Sequence, residues 1–467
     1  MPAVSADGLS YTFKLRSGIK FHDGTTLDAS AVKFNYDRWN GFPKGDLQQA
    51  ATVFQAVFGG FGEEGNLASV AAPDPQTVVI TLRRPQSNFL ITQANAAFGI
   101  QSPKAIEDND GNDPSLTKNG YALGQGGRGK AMVGTGPFMF SEWAPGDHVT
   151  LVKNPSYWNQ AGEPYLDKLV FKPFDDAVSA GNALQSGVVD MVDIVDPTTL
   201  QSMRGSNNVT VLDRGYSCNL TQLAMNQGDT INGALNPLAD VNARLAVASA
   251  LDRQSYVNGV YAGAAIVADN WAPEGALYYK PEYLPGYDNN KAKSYMAAAQ
   301  LTGKVTLDLW YPSDTPALVD YKALATAVAA DLGSAGFTVN VKTEDAVKFA
   351  ADSAAGKMQT WLMSQDCGWD SVDYWMAGNF LYVSGAPAPS FAYTDDTMNA
   401  TMEEAIGATQ GATVKAAWEQ VQDLVRADMP TVPLVNAKLP AASRSFVRGM
   451  VASGSMVEVL NTVWLDK

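Results

Sequence analysis

The sequence predicts an α/β or α+β protein built from two or three domains. The first observation is length, because 467 residues exceed what a single hydrophobic core usually holds. The second is that strand-like and helix-like patterns follow one another in both halves of the chain. The third is composition: 46% of the residues are hydrophobic and 17% are charged, with no run of about 18 apolar residues. These proportions are typical of a soluble globular protein.

The first half begins with a predicted strand, a capped helix and a second strand. Strict alternation predicts strands at Tyr11–Arg16 and Thr77–Leu82. Asp28 is a suitable N-cap, because its side chain can accept free backbone N–H groups at the start of a helix. That helix carries apolar residues at helical spacing, namely Val32, Tyr36 and Trp39.

A β-hairpin is predicted from Gly134 to Trp158. Phe138 and Phe140 stand in alternate positions, as in a half-buried strand. Pro145-Gly146-Asp147 is a turn signal, and Val149–Val152 reads as the returning strand. The hairpin divides the chain into a smaller part before it and a larger part after it.

The larger part predicts further strands and helices. Asp175 is expected to cap a helix that runs through Leu184 and ends at Gly187, and Asp240 to cap another. The inner face of the Asp240 helix is expected to be Val241, Leu245, Ala248 and Leu251. The predicted strands are Leu169–Phe171, Val209–Leu212, Val305–Trp310, Phe337–Val341 and Trp361–Ser364.

Two later helices and one long loop complete the prediction. A helix near 316–332 has a buried stripe of Leu324, Val328 and Leu332, with Gly333 and Gly336 as stop signals. A helix over Thr413–Asp428 turns inward the residues Val414, Trp418, Val421 and Val425. Residues 262–290, rich in proline, glycine and tyrosine, are expected to form a loop that contains Trp271.

The charge balance and the cysteines exclude several classes of function. The net charge is −15, which argues against nucleic acid or anionic membrane as a partner because both require basic patches. Cys218 and Cys367 are the only cysteines, too few for a four-cysteine zinc site. The two cysteines could form one disulfide or remain separate thiols, and spacing does not decide between these alternatives.

Catalytic and cofactor motifs are weak or missing. Gly124 to Ala131 (GQGGRGKA) resembles phosphate-binding loops, but Ala131 replaces the magnesium-binding hydroxyl and no strand precedes it, which favours a flexible loop. His22 and His148 are the only histidines, and we expect structural roles for both. With no H-E-x-x-H or G-x-S-x-G motif, a metal or serine hydrolase is not predicted, and no cofactor is expected. The many acidic residues leave a secreted glycosidase open as an alternative, because two carboxylates suffice for that chemistry, although nothing in the sequence pairs any two of them.

The most suggestive cluster is Asp366 to Trp375 (DCGWDSVDYW). It mixes carboxylates with aromatic rings, which suits a small-molecule site where rings stack and carboxylates bind ammonium or hydroxyl groups. The alternative is a loop whose acids cap the next helix, with Asp373 as the N-cap.

Four blocks of sequence resemble the solute-binding proteins of ABC importers, in the class that includes oligopeptide- and dipeptide-binding proteins. The blocks are YTFKLRSGIKFHDGTTLDASAVKFNYDRW (11–39), GTGPFMFSEWAPGDHVTLVKNPSYW (134–158), ALQSGVVDMVD (183–193) and PLADVNARLAVASALDR (237–253). The resemblance implies an α/β, two-lobed, three-domain clamp of the periplasmic-binding-protein type. It implies a small domain at 1–130, a first lobe at 131–222 with 443–467, and a second lobe at 223–442.

The resemblance also implies a function and a site. A monomer outside the cytoplasm would close its lobes on a small ligand and deliver it to a membrane permease. Peptide-binding relatives anchor the peptide's amino end with a carboxylate that Asp370 matches by position, beside Trp369. The other residues expected around the ligand are Asp314, Asp373, Trp271 and Trp361.

Two departures from the family pattern bear on these expectations. The relatives carry a further segment before the YTFKLR strand, so the first lobe is expected to lack its N-terminal part here. In addition, no arginine occurs from Gln254 to Val425, although dipeptide binders hold the peptide carboxylate with an arginine. We therefore expect an oligopeptide ligand read through its backbone. An oligosaccharide stacked on tryptophan is the alternative ligand, and a non-binding scaffold is a further alternative.

Overall fold

A computed structural model provides the structure of the chain. It describes residues 2–45, 47–48, 51–109, 111, 132–159, 162–193, 197–213, 219–281, 284–313, 320–365, 391–392, 395–409, 411–438, 440–451 and 459–467. In chain order the strands of these residues are β1 (Ala3–Val4), β2 (Ser10–Lys14), β3 (Leu67–Asp74), β4 (Thr77–Leu82), β5 (Phe138–Ala144), β6 (His148–Lys153), β7 (Lys168–Phe171), β8 (Met191–Val192), β9 (Val209–Leu212), β10 (Leu220–Met225), β11 (Thr230–Ile231), β12 (Ala234–Leu235), β13 (Ala265–Val267), β14 (Val305–Pro312), β15 (Phe337–Glu344), β16 (Thr360–Gln365), β17 (Thr431–Ala437), β18 (Ala441–Arg444), β19 (Val447–Arg448) and β20 (Trp464–Leu465).

The helices of the described residues lie between these strands or groups of strands along the chain. They are α1 (Ala29–Asn40), α2 (Thr52–Phe58), α3 (Phe89–Thr92), α4 (Pro103–Asp108), α5 (Ala177–Ser186), α6 (Pro197–Arg204), α7 (Val241–Ala250), α8 (Arg253–Gly259), α9 (Asn289–Ala298), α10 (Tyr321–Ala335), α11 (Ala346–Ala354), α12 (Asp396–Gly407) and α13 (Gly411–Asp428). Two short 3₁₀ turns lie at Ala96–Phe98 and Pro237–Ala239.

The N-terminal unit is a four-stranded antiparallel sheet, in the order β1-β2-β4-β3, with its own hydrophobic core. Helix α1 packs on this sheet. Asp28 caps α1 as predicted, because its side chain accepts the N–H of Ala31, and the predicted stripe of Val32, Tyr36 and Trp39 is buried. We use the name N-terminal unit for the described residues from 2 to 111.

The predicted hairpin is confirmed as β5 and β6, to which β7 adds a third antiparallel strand. His22 ties this sheet to the N-terminal unit, because its Nε2 lies 3.0 Å from the carbonyl oxygen of Gly136. A structural role was predicted for His22. Within the three strands Thr150 is the buried residue, while Phe171 is 47% exposed.

A second three-stranded sheet, ordered β8-β18-β9, packs with α5 and α6 around Leu184 and Met203. Helix α5 corrects one prediction. Its N-cap is Asp176, whose side chain accepts the N–H of Ser179, and not Asp175. Adjacent aspartates have the same chemistry, so only the backbone path selects between them. The predicted end at Gly187 is confirmed.

The large unit is built on a six-stranded mixed sheet in the order β13-β17-β10-β16-β14-β15. Its core is the largest of the molecule and takes in the predicted stripes of α10 and α13. These buried residues are Leu324, Val328, Leu332, Val414, Trp418, Val421 and Val425. Periodicity predicted both faces because each helix packs one stripe against the sheet or against a neighbouring helix.

Two details of the large unit differ from the prediction. Helix α10 continues through Gly333 and is capped by Gly336. The φ angle of Gly336 is +115°, which glycine adopts without strain because it has no Cβ. Helix α7 is buried on more than one face, with Ala243 and Val247 inside and Leu245 half-buried. The reason is that α7 packs against both α9 and α10, so its polar face is also covered.

The long loop that contains Trp271 is held by one buried amide, that of Gln422 on α13. Its Oε1 accepts hydrogen bonds from Asn270 Nδ2 at 2.7 Å and from the N–H of Lys280 at 3.1 Å. Its Nε2 donates to the carbonyl oxygens of Tyr278 at 3.0 Å and of Trp418 at 2.8 Å. Gln422 and Asn270 are completely buried, so Gln422 links this loop to α13 through hydrogen bonds inside the protein.

Gln422→Leu is expected to lower the free energy of unfolding by about 2–3 kcal/mol, because it removes the hydrogen bonds by which a completely buried amide holds the loop. Urea denaturation of the variant and the wild type measures this difference. Gln420→Leu is the control, since Gln420 is exposed on the same helix and should change stability by less than about 0.5 kcal/mol. Equal losses in the two variants would contradict the assigned role.

Candidate functional site

The candidate site is one edge of the six-stranded sheet. Strand β14 pairs in parallel with β15 up to Pro312 and Glu344, and in parallel with β16 at Trp310 and Trp361, so the carboxyl ends of all three strands lie on this side of the sheet. Strand β10 runs antiparallel to β16, and its first residue, Leu220, pairs with Gln365. In open α/β sheets, ligands bind outside the carboxyl ends of parallel strands. This edge is therefore where the fold offers a ligand site.

Four of the predicted site residues follow strands that end at this edge. Asp314 comes directly after Ser313, and Trp369, Asp370 and Asp373 come after Gln365 in the chain. All four lie outside the described residues, as do Cys218 and Cys367, so their positions stay predictions. The structure shows where the two segments that carry these residues begin. They follow β14 and β16, which are neighbours in the sheet.

Trp361 and Trp271 are buried next to the sheet, and Trp361 pairs with Trp310, two residues before the end of β14. Trp361 is the second residue of β16 and pairs with Ala224, the fifth residue of β10. It is 3% exposed and its ring centroid lies 5.2 Å from that of Phe391. Trp271 is completely buried and its Nε1 donates to Thr431 Oγ1 at 2.8 Å. Both rings pack in the core of the large unit, and their contact with a ligand stays a prediction.

A chain of hydroxyl groups near the edge was not predicted from sequence. Tyr261 Oη donates to Thr221 Oγ1 at 3.2 Å, and Thr221 Oγ1 lies 3.0 Å from Ser364 Oγ. Burial raises the pKa of Tyr261, so its hydroxyl stays neutral and can donate at physiological pH. The sequence pattern that could have indicated this chain is the presence of the hydroxyl residues Thr221 and Ser364 among apolar strand residues.

A second polar chain runs across the sheet from Trp271. Thr431 Oγ1 accepts from the indole and donates to Gln222 Oε1 at 2.7 Å. Gln222 is completely buried, and its Nε2 has no hydrogen-bond partner among the residues that the structure describes. A buried donor without an acceptor is uncommon, so this amide is a polar feature of the core next to β16.

An ion pair lies between β14 and β15, the two strands at one side of the sheet. Lys342 Nζ is 2.6 Å from Asp308 Oδ2, and Asn340 Nδ2 donates to Asp308 Oδ1 at 2.9 Å. Burial by itself would raise the pKa of Asp308, but the hydrogen bonds from Lys342 and Asn340 outweigh it and hold this pKa below its ordinary value. Lys342 also lies over the Trp310 ring, 5.0 Å from its centroid.

The stabilising effect of Asp308 is expected to depend on pH. Because its pKa is lower in the folded protein, the effect is present above about pH 4 and is lost as the pH falls through the folded-state pKa. Asp308→Asn should reduce stability by about 0.5–1 kcal/mol at pH 7 and by less at pH 3. Urea denaturation at both pH values checks this, and Lys342→Met should remove most of the difference. A gap between wild type and Asp308→Asn that is unchanged by pH would contradict the prediction.

Two features are absent from the residues that the structure describes. They contain no group of three or more His, Cys, Asp and Glu side chains arranged for a metal ion. Across the same residues, no helix combines the length and the apolar character needed to cross a membrane.

His148 lies between Asp147 and Glu142, with Nδ1 at 2.7 Å from the Asp147 carboxylate and Nε2 at 3.7 Å from the Glu142 carboxylate.

The chain matches known proteins along nearly its whole length. The profile described as "Bacterial extracellular solute-binding proteins, family 5 Middle" matches residues 2–390. The glutathione-binding protein GsiB of Escherichia coli O1:K1 / APEC is 26% identical over 460 residues, which cover 96% of this chain and 81% of GsiB.

Solved structures resemble the whole chain. The periplasmic binding protein DppA from Helicobacter pylori, in complex with peptide STSA, has a TM-score of 0.77 at 21% identity and covers 100% of this chain and 88% of its own. NikZ from Campylobacter jejuni, in complex with Ni(L-His), has a TM-score of 0.77 at 20% identity and covers 99% of this chain and 87% of its own. These similarities confirm the predicted α/β fold of the periplasmic-binding-protein type.

Proposed function

Because the chain belongs to the bacterial extracellular solute-binding proteins of family 5, we propose that it binds an oligopeptide and delivers it to an ABC importer. The observation that carries the proposal is the shared sheet edge. The segments that follow β14 and β16 start side by side there, and both contain carboxylates, Asp314 and Asp370. A carboxylate at the edge of a cleft pairs with the ammonium group at the amino end of a peptide.

The relatives and the missing arginine support a peptide of more than two residues. GsiB is named for glutathione, and the DppA structure holds the peptide STSA. No arginine lies between Gln254 and Val425 to hold the carboxylate of a short peptide. A longer peptide can be read through its backbone N–H and carbonyl groups, which need no charged partner.

The other ligands fit the described residues less well. An oligosaccharide requires exposed aromatic rings, yet Trp271 and Trp361 are 0% and 3% exposed. NikZ is described with Ni(L-His), but one of the two histidines here, His22, already uses Nε2 for the Gly136 carbonyl. We propose a binding protein outside the cytoplasm that acts as a monomer and does not catalyse a reaction.

Calorimetry with four probes tests the proposal: the peptide Ser-Thr-Ser-Ala, glutathione, maltotriose and the nickel–histidine complex. Binding of the tetrapeptide with a Kd in the micromolar range or below is the expected result. Tight binding of maltotriose with no heat from either peptide would overturn the peptide assignment. Mass spectrometry of small molecules that accompany the purified protein provides an independent identification.

A further inference from the structure

Two hydrogen bonds join the N-terminal unit to the end of a helix in the large unit. The N–H of Ser87 donates to the carbonyl oxygen of Ile406 at 2.8 Å, and Ser87 Oγ donates to that of Ala405 at 2.9 Å. Helix α12 ends at Gly407, so these carbonyls belong to its last turn. Carbonyls of a last turn have no partner within their own helix. Ser87 therefore caps α12 from a position 318 residues away in sequence.

A close backbone approach accompanies these hydrogen bonds. Gly8 has φ of +69°, and a Cβ at this position would lie 2.7 Å from Thr409 Cγ2. Beside it an open cavity of about 530 Å³ is lined by Glu404, Gly407, Ala408, Thr409 and Thr413. Among the described residues, the junction thus combines the Ser87 hydrogen bonds and the Gly8–Thr409 approach with an open cavity beside them.

Among the described residues, the N-terminal unit makes more contacts with the segment that leads into the hairpin sheet. The N–H of His22 donates to the Gly134 carbonyl oxygen at 2.9 Å, in addition to the His22 Nε2 contact, and the N–H of Ser102 donates to that of Val133 at 2.8 Å. The Arg16 guanidinium also lies over the Trp158 ring, 4.6 Å from its centroid. Of the junctions that the N-terminal unit makes with the hairpin-sheet segment and with α12, the one at Ser87 is the weaker. We therefore expect the N-terminal unit to separate from α12 first.

We propose that Ser87 is a latch that favours closure of the clamp. The N-terminal unit remains with the hairpin sheet, and Ser87 caps α12 when the large unit swings toward it. This proposal rests on the proposed function, since it assumes that the ligand is enclosed by lobe closure. A latch far from the ligand raises apparent affinity because it stabilises the closed state, in which the ligand is enclosed, relative to the open state.

Ser87→Ala removes the side-chain hydrogen bond, whereas Ser87→Thr keeps a hydroxyl and serves as the conservative variant. The loss of one such bond is expected to shift the ratio of closed to open protein by about 3- to 10-fold toward open. Small-angle X-ray scattering of the ligand-free protein should show a larger radius of gyration for Ser87→Ala. Hydrogen exchange at the Ser87 amide should be faster by a similar factor.

The matched control is Ser334→Ala, which removes an exposed hydroxyl bonded to a carbonyl of its own helix, α10. Ser334→Ala and Ser87→Thr should both match the wild type in scattering and in exchange. An unchanged radius of gyration and unchanged exchange in Ser87→Ala would overturn the latch. So would faster exchange throughout the core of the N-terminal unit, because that result indicates a purely structural role.

Calorimetry with Ser-Thr-Ser-Ala provides the functional measurement. Ser87→Ala should bind this peptide about 3- to 10-fold more weakly than the wild type. If the wild type does not bind the peptide, the proposed peptide function fails, while scattering and exchange still decide the latch. If the wild type binds and Ser87→Ala binds equally well, the latch is wrong and the function stands.

Discussion

Replacement of Trp418 by alanine is expected to lower the free energy of unfolding by about 3–5 kcal/mol. Trp418 is completely buried in the core of the large unit, on the inward stripe of α13. Alanine removes the ring and leaves a cavity that neighbours held by the sheet can only partly fill. Urea denaturation followed by circular dichroism measures the loss.

Two further variants serve as controls for the Trp418→Ala prediction. Trp464→Ala removes an indole that is 43% exposed and should change stability by less than about 0.5 kcal/mol. Trp418→Phe keeps an aromatic ring and loses an indole N–H that has no hydrogen-bond partner among the described residues, so its loss should be smaller than that of the alanine variant. If Trp464→Ala were as destabilising as Trp418→Ala, burial would not be the cause.

The second large effect is expected at Asp370. If this carboxylate binds the amino end of a peptide, Asp370→Ala should weaken the binding of Ser-Thr-Ser-Ala more than tenfold. The reason is that a hydrogen bond between charged groups contributes about 1.5–3 kcal/mol. Calorimetry at low salt measures the affinity, and the folded state is checked by an unchanged unfolding midpoint.

N-acetylated Ser-Thr-Ser-Ala provides the matching change in the ligand. It lacks the ammonium group, so it should bind the wild type about as weakly as the free peptide binds Asp370→Ala, and the two losses should not add. Asp366→Ala, from the same acidic cluster, is the control and should bind the free peptide normally. An affinity unchanged by Asp370→Ala would refute its role as the anchor.

Local signals predicted much of the secondary structure. Asp28 and Asp240 cap the helices that they were expected to cap, and Thr77–Leu82 and Val209–Leu212 are strands with the predicted bounds. These predictions depend on residues a few positions apart, whose backbone groups meet whatever the rest of the chain does. Where two neighbouring residues have the same chemistry, the pattern could not identify the N-cap correctly: Asp175 was predicted, and Asp176 caps the helix.

The candidate site was less accessible to prediction. Trp271 and Trp361 were expected around the ligand because an aromatic ring suits both a binding cleft and a core. Their location in the core depends on the pairing of Trp361 with Ala224 and on the bond from Trp271 to Thr431, which join segments far apart in sequence. The roles of Asp314, Trp369, Asp370 and Asp373 stay predictions, as do the boundaries of the three domains.

By itself the sequence determined the family, the α/β class and the faces of the main helices, because motifs, caps and periodicity are properties of neighbouring residues. Tertiary structure alone decided that β14 and β16 are adjacent and end at one edge, and that Ser87 caps α12. The physical reason is that strand order and contacts between units depend on how separate cores pack, and packing joins residues that share no local pattern.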